Sequence, residues 1–162
     1  LRKEFSRCEK VAIGGTFDRL HKGHEKILGW AFKVGRKVYI GITSNEFARR
    51  TRPGEEIEDL ERRIKELRRF LRPKGFLKRA KIGVINDPYG PTLSEEFDAI
   101  VVSEETFQTA LEINKLRREK GLGEMKIFIV KLLLAQDGKP ISSTRIRRGE
   151  IDREGRVLPK AP

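Results

Sequence analysis

Cysteine occurs once, at Cys8, so no intrachain disulfide can form, and a reducing, cytoplasmic setting is the expectation. Histidine occurs twice and methionine once, and the side-chain amides are confined to Asn45, Asn86, Asn114, Gln108 and Gln136. With so few histidines and cysteines, no third ligand for a metal site is evident, and none is expected. Long apolar runs are also missing. The longest, Ile127 to Ala135, is broken by Lys131 and falls far short of a membrane span. No secretory leader, internal repeat or low-complexity tract is read either.

What is present is charge. The chain of 162 residues is long enough for one domain with a real core, and it carries 36 Lys and Arg against 24 Asp and Glu, a net +12. Such a balance invites a nucleic-acid partner. Abundant Lys, Arg and Glu beside scarce Asn, Gln, Cys and Met also fit a heat-adapted, thermophile surface laced with ion pairs. Aromatic residues are scattered, with no aromatic-rich strand of the RNA-binding kind. The balance favours heat adaptation and small anionic substrates, with no specific nucleic acid and a monomer as the simplest state.

Apolar runs alternate with helical patterns along the chain. Strands are predicted at Lys10 to Gly14, Lys37 to Thr43, Lys81 to Ile85, Ala99 to Val102 and Lys126 to Lys131. Helices are predicted at Gly23 to Val34, Glu105 to Lys120, and along the stripe Ile57, Leu60, Ile64, Leu67 and Leu71, which Pro73 and Gly75 stop. Arg62, Arg63, Arg68 and Arg69 are placed on the solvated side of that stripe. Ser44 to Pro53 reads as a basic connector. Continuous apolar strands between helices predict a parallel sheet covered on both faces. The expected fold is a single doubly wound α/β domain with a five-stranded parallel sheet over residues 1–154, and residues 155–162 form a loosely ordered tail.

In such sheets ligands bind beyond the carboxyl ends of the strands. After the first strand come Gly14, Gly15, Thr16, Phe17, Asp18, His21, Gly23 and His24. A strand breaking at paired glycines before a helix start offers backbone N–H groups to a phosphate. After the second strand come Thr43 and the basic cluster Arg49, Arg50 and Arg52. Ser103, Glu104, Glu105 and Thr106 follow the fourth, with Asn114 on the apolar face of the next helix. Beyond the fifth, Ile141-Ser142-Ser143-Thr144-Arg145-Ile146-Arg147 gathers three hydroxyls and two guanidiniums at a helix start.

The stretch GGTFDRLHKGH resembles the HxGH signature of the nucleotidylyltransferase superfamily, and ISSTRIR resembles its C-terminal signature. Val101-Val102-Ser103-Glu104-Glu105-Thr106, with Asn114, is similar to the archaeal phosphopantetheine adenylyltransferases and to the matching domain of eukaryotic coenzyme A synthase. The resemblance implies transfer of AMP from ATP to 4′-phosphopantetheine, giving dephospho-coenzyme A and pyrophosphate without a covalent intermediate. It implies that His24 contacts the α-phosphate, that Thr16 bridges the attacking phosphate to ATP, and that His21 lies near the β- or γ-phosphate. Ser142, Ser143 and Thr144 would hold the triphosphate, Arg145 or Arg147 would face the leaving pyrophosphate, and Mg²⁺ would accompany ATP. Arg49 or Arg50 would take the place of the lysine that bacterial enzymes carry after the second strand. Other superfamily activities remain open at this point, namely a cytidylyltransferase or an FMN or nicotinamide-mononucleotide adenylyltransferase. The stretch GKPISST differs from the RTEGIST usual in cytidylyltransferases.

Overall fold

Five parallel strands form one sheet in the order β3-β2-β1-β4-β5, in a computed structural model that describes residues 7–160. In chain order the elements are β1 (Cys8–Gly15), α1 (Lys22–Val34), β2 (Gly35–Thr43), α2 (Asn45–Thr51), α3 (Leu60–Leu71), β3 (Ala80–Ile85), β4 (Ala99–Ser103), α4 (Phe107–Glu119), β5 (Lys126–Val130) and α5 (Ser143–Arg147). The chain winds outward from β1 to one edge, returns, and continues on the other side through β4. The order therefore reverses between β1 and β4, where open α/β sheets open a ligand crevice.

The apolar strands bury both faces, as their lack of alternation predicts. On one face Val11, Ile13, Ile40 and Ile42 pack with Leu28 and Phe32 of α1 and Leu67 and Leu71 of α3. On the other, Ala12, Ile100 and Val102 pack with Ala110 and Ile113 of α4 and with Met125. β1 pairs with β2 as far as Gly15, but with β4 only at Val11 and Ala12. Past Ala12 β1 and β4 part, and the carboxyl end of β1 keeps β2 on one side and borders the gap on the other.

Three sequence expectations are corrected by the packing. The basic connector contains α2, which Ser44 caps by accepting a bond from the Phe47 N–H at 3.1 Å. Ile57 precedes its helix, because Asp59 is the cap and α3 starts at Leu60. The segment expected to be loose is tied down through Leu158. The Gln136 N–H donates to the Gly155 carbonyl, the Val157 N–H to Gln136 Oε1, and the Leu158 N–H to the Glu150 carbonyl.

Candidate active site

The start of α1 is built by its two histidines. His21 is the residue before the first turn, with extended backbone, and its Nδ1 accepts the N–H groups of Gly23 at 3.0 Å and His24 at 3.3 Å. His24 returns the contact, its Nδ1 accepting the His21 N–H at 3.2 Å. Such reciprocal capping satisfies helix-start donors that would otherwise be unpaired. A neutral imidazole that accepts at Nδ1 carries its proton on Nε2. Burial, with Arg153 adding repulsion, lowers His21 to about 4. Burial also holds His24 well below 6.5, with His21 and Arg52 contributing repulsion. Both rings are therefore neutral at pH 7. They stack at 3.7 Å between centroids and present two Nε2–H donors.

The loop before the cap is bent to fit. Phe17 and Arg19 adopt positive φ values of 52° and 47°, an uncommon conformation outside glycine. The Phe17 ring is buried with its centroid 5.4 Å from that of His24. Gly23 is required by contact: a Cβ there would lie 2.9 Å from His21 Cε1.

Two cavities meet at the end of β1. One, of about 340 Å³, is lined by Gly14 to Asp18, His21, Gly23, His24, Ser103, Thr106 and Ser142 to Thr144, with other groups. The second, of about 600 Å³, has a more apolar wall that includes Phe47, Pro53, Ile85, Pro88, Val102 and Ile113, with Thr43 at its polar end. Gly14, Gly15, Thr16, Arg52 and Thr106 line both. These volumes suit small-molecule sites.

At the junction the Thr43 hydroxyl donates to Thr16 Oγ1 at 3.0 Å, which leaves the Thr16 proton free for a ligand. Behind the pair lies Arg63, which is buried rather than solvated as its sequence position on α3 had implied. Its Nη1 donates to the carbonyls of Thr16 at 3.0 Å and Thr43 at 2.8 Å. A signal for this burial existed. Arg63 lies three residues after Leu60 and four before Leu67, within the apolar stripe.

The C-terminal motif reaches the same place. Ser142 caps α5 by accepting the Arg145 N–H at 3.2 Å, and Ser143 Oγ donates to the Asp18 carbonyl at 2.6 Å. Asp18 is buried and binds Arg147, Arg19 and the Glu58 N–H, the last at 2.8 Å. Glu55 accepts from Thr144 Oγ1 at 3.0 Å and also pairs with Arg147. A carboxylate thus occupies two groups expected to hold phosphate. Arg145 is placed differently from expectation, because it turns toward the preceding loop and pairs with Asp137 and Glu150.

Four other expected residues lie outside the crevice. Arg49 and Arg50 line neither cavity; Arg50 donates to the Asn86 carbonyl at 2.8 Å. Their neighbour Arg52 is the guanidinium of that cluster that lines both. Glu104 is exposed and lines neither cavity. Asn114 is a core amide: its Nδ2 donates to the Met125 carbonyl and its Oδ1 accepts the Met125 N–H, both at 2.9 Å. Among the described residues, no three His, Cys, Asp or Glu side chains are grouped to hold a metal ion, and no helix is long and apolar enough to cross a membrane.

A doubly wound sheet with an imidazole-capped helix at its switch point, facing a hydroxyl-bearing C-terminal turn, is built to hold nucleotide phosphates. The cytidylyltransferase-like family model matches residues 12–149. A phosphopantetheine adenylyltransferase of Methanothermobacter thermautotrophicus is 50% identical over 149 residues, 91% of this chain and 88% of that protein. A second, from Archaeoglobus fulgidus, is 47% identical over 154 residues, 92% and 99% of the two chains. The chain belongs to the cytidylyltransferase-like family and, within it, to the archaeal phosphopantetheine adenylyltransferases. Among solved structures, an Archaeoglobus fulgidus protein of unknown function shares 40% identity at TM-score 0.68, covering 75% of this chain and 88% of that one. A tyrosyl-tRNA synthetase of the same organism, 12% identical at TM-score 0.62 over 86% of this chain and 59% of its own, shares the fold alone.

Proposed function

We propose that this enzyme transfers AMP from ATP to 4′-phosphopantetheine, giving dephospho-coenzyme A and pyrophosphate. The observation that carries the reading is the meeting of two cavities at Thr16, beneath a pair of neutral imidazoles. The smaller cavity, with its glycines, imidazoles and hydroxyls, takes the nucleotide. The larger, more apolar one takes the pantetheine arm, and its polar end delivers the acceptor phosphate to Thr16.

An acceptor phosphate oxygen attacks the α-phosphorus, and the bond from that phosphorus to the bridging oxygen of pyrophosphate breaks. Catalysis is then alignment and charge stabilisation. His24 Nε2–H donates to the α-phosphate oxygens, His21 Nε2–H to the adjoining phosphates, and the Thr16 hydroxyl to the acceptor. Arg52, facing both cavities, offsets repulsion between the two anions. Ser142 and Thr144 hold the triphosphate once Glu55 yields Thr144 and Arg147. Mg²⁺ would accompany ATP and would shield the charge of its triphosphate. Every side chain that the proposed reaction uses comes from one chain, which supports a monomer. The single cysteine supports a cytoplasmic setting.

A pyrophosphate-release assay tests the reading by crossing ATP and CTP with phosphopantetheine, nicotinamide mononucleotide, FMN and glycerol phosphate. ATP with phosphopantetheine is the expected pair. Preferred use of CTP with a polyol phosphate would replace it with the cytidylyltransferase reading.

A further inference from the structure

The arginine buried behind Thr16 is an expensive way to complete a helix. Leu60, Leu67 and Leu71 show what the other positions of the α3 stripe carry, and an apolar residue at 63 would continue them. A buried guanidinium must instead be desolvated and then satisfied in full. Arg63 is 1% exposed, and every hydrogen bond it makes is to a neutral acceptor. Besides the Thr16 and Thr43 carbonyls, Nε donates to the Glu58 carbonyl at 2.8 Å and Nη2 to Asn45 Oδ1 at 3.2 Å. No carboxylate binds it directly. Its charge is shared with the nearby carboxylates of Asp18, Asp59 and Glu58, none of which it touches, so what its bonds give the junction is geometry.

The direction of the hydroxyl pair depends on the same group. Nη1 also lies 3.5 Å from Thr43 Oγ1, at the edge of hydrogen-bonding range. A guanidinium has donors only, so the Thr43 hydroxyl cannot donate back to it. Its proton goes to Thr16 Oγ1, and the Thr16 proton is turned outward. With the carbonyls of both threonines held by one nitrogen, the loops after β1 and β2 keep the spacing that this relay needs.

We infer that Arg63 is a positioning residue for AMP transfer, fixing the Thr43–Thr16 hydroxyl relay so that Thr16 presents its proton to the acceptor phosphate. The assignment rests on the proposed reaction. Lysine at this position keeps the charge but cannot span four acceptors on two sides of a planar fork.

The test is a double-mutant cycle on the full chain, with Arg63→Lys, Thr16→Val and the pair together. Arg63→Lys should lower kcat about 10- to 100-fold, the effect of one charge-assisted hydrogen bond, with KM for ATP within about threefold of wild type. In the Thr16→Val background the same change should cost less than about threefold, because the relay is already broken. Independent, additive losses would overturn the assignment, as would a loss confined to KM or to melting temperature. Thr43→Val removes only the linking hydroxyl, and it decides the matter if Arg63→Lys does not fold. It should reproduce the fall in kcat at unchanged KM for ATP, and turnover like wild type would refute the relay. Wild-type turnover, measured alongside, separates the two levels. An inactive wild type overturns the reaction and this assignment with it, whereas an active wild type with additive variants overturns the assignment alone.

Discussion

The two nitrogens of His24 do different work, and two substitutions should separate them. Nδ1 holds the helix start through the His21 N–H at 3.2 Å, while Nε2–H faces the crevice. In His24→Asn the side-chain oxygen can stand near Nδ1, so the cap survives and the outward donor is lost. In His24→Gln the amide nitrogen can stand near Nε2, so the donor survives and the cap is lost. Losing a capping contact costs about 1 kcal/mol. For a chain of this size that is a fall in Tm of about 2–4 °C. Losing a donor to a charge that grows in the transition state costs about 10²- to 10³-fold in kcat. His24→Asn should therefore melt near wild type but turn over at least about a hundredfold more slowly. His24→Gln should melt lower and keep more of the activity. Pyrophosphate release at saturating substrates gives kcat, and a thermal melt gives the cap. If His24→Asn turns over within about threefold of wild type, Nε2 does not touch the reaction and the argument fails.

Histidine proton signals followed by NMR should show no titration of either ring near pH 6.5, because His21 titrates at about 4 and His24 well below its ordinary value. The unfolded chain takes up protons below pH 6.5 that the folded chain refuses, so Tm should decline as pH falls from 6.5 toward 4; a Tm that rises over that window contradicts the burial argument. Gly23→Ala places a Cβ 2.9 Å from His21 Cε1 and should destabilise by about 1–3 kcal/mol while lowering kcat, both read on the same purified protein. Asn114→Leu leaves the Met125 N–H and carbonyl unpaired and should cost about 2 kcal/mol or more in a denaturant melt. Its KM for ATP should not move, and a raised KM would return Asn114 to the nucleotide site.

The sheet and its order of elements were legible because continuous apolar strands and capped amphipathic helices leave few alternatives. The glycine–histidine loop was legible for a related reason, since its residues are neighbours in sequence. Misreadings arose where the deciding contact is distant. Ser44 is an ordinary helix cap, yet the arginines and Pro53 beyond it read as loop. Asp18 meets Arg147 across most of the chain, and no local pattern announces that pair. Arg145 and Arg147 share one short helix, and only the positions of Asp137, Glu150, Asp18 and Glu55 decide which way each turns. Arg52 could not be told from Arg49 and Arg50 without knowing where α2 ends. The buried Arg63 was hidden by its charge, although its spacing placed it inside the stripe.

The imidazole cap also limits the chemistry open to these histidines. A neutral ring attacks phosphorus through its unprotonated nitrogen, and here that nitrogen is Nδ1 on both rings. On each ring the Nδ1 lone pair is engaged by backbone N–H groups of the helix start. Neither histidine can become a nucleophile without opening the first turn of α1, so neither ring carries a nucleotide between substrates. The proposed single in-line displacement fits that limit. ATP made chiral at the α-phosphorus, with sulfur in place of one oxygen, should therefore emerge in the product with its configuration inverted.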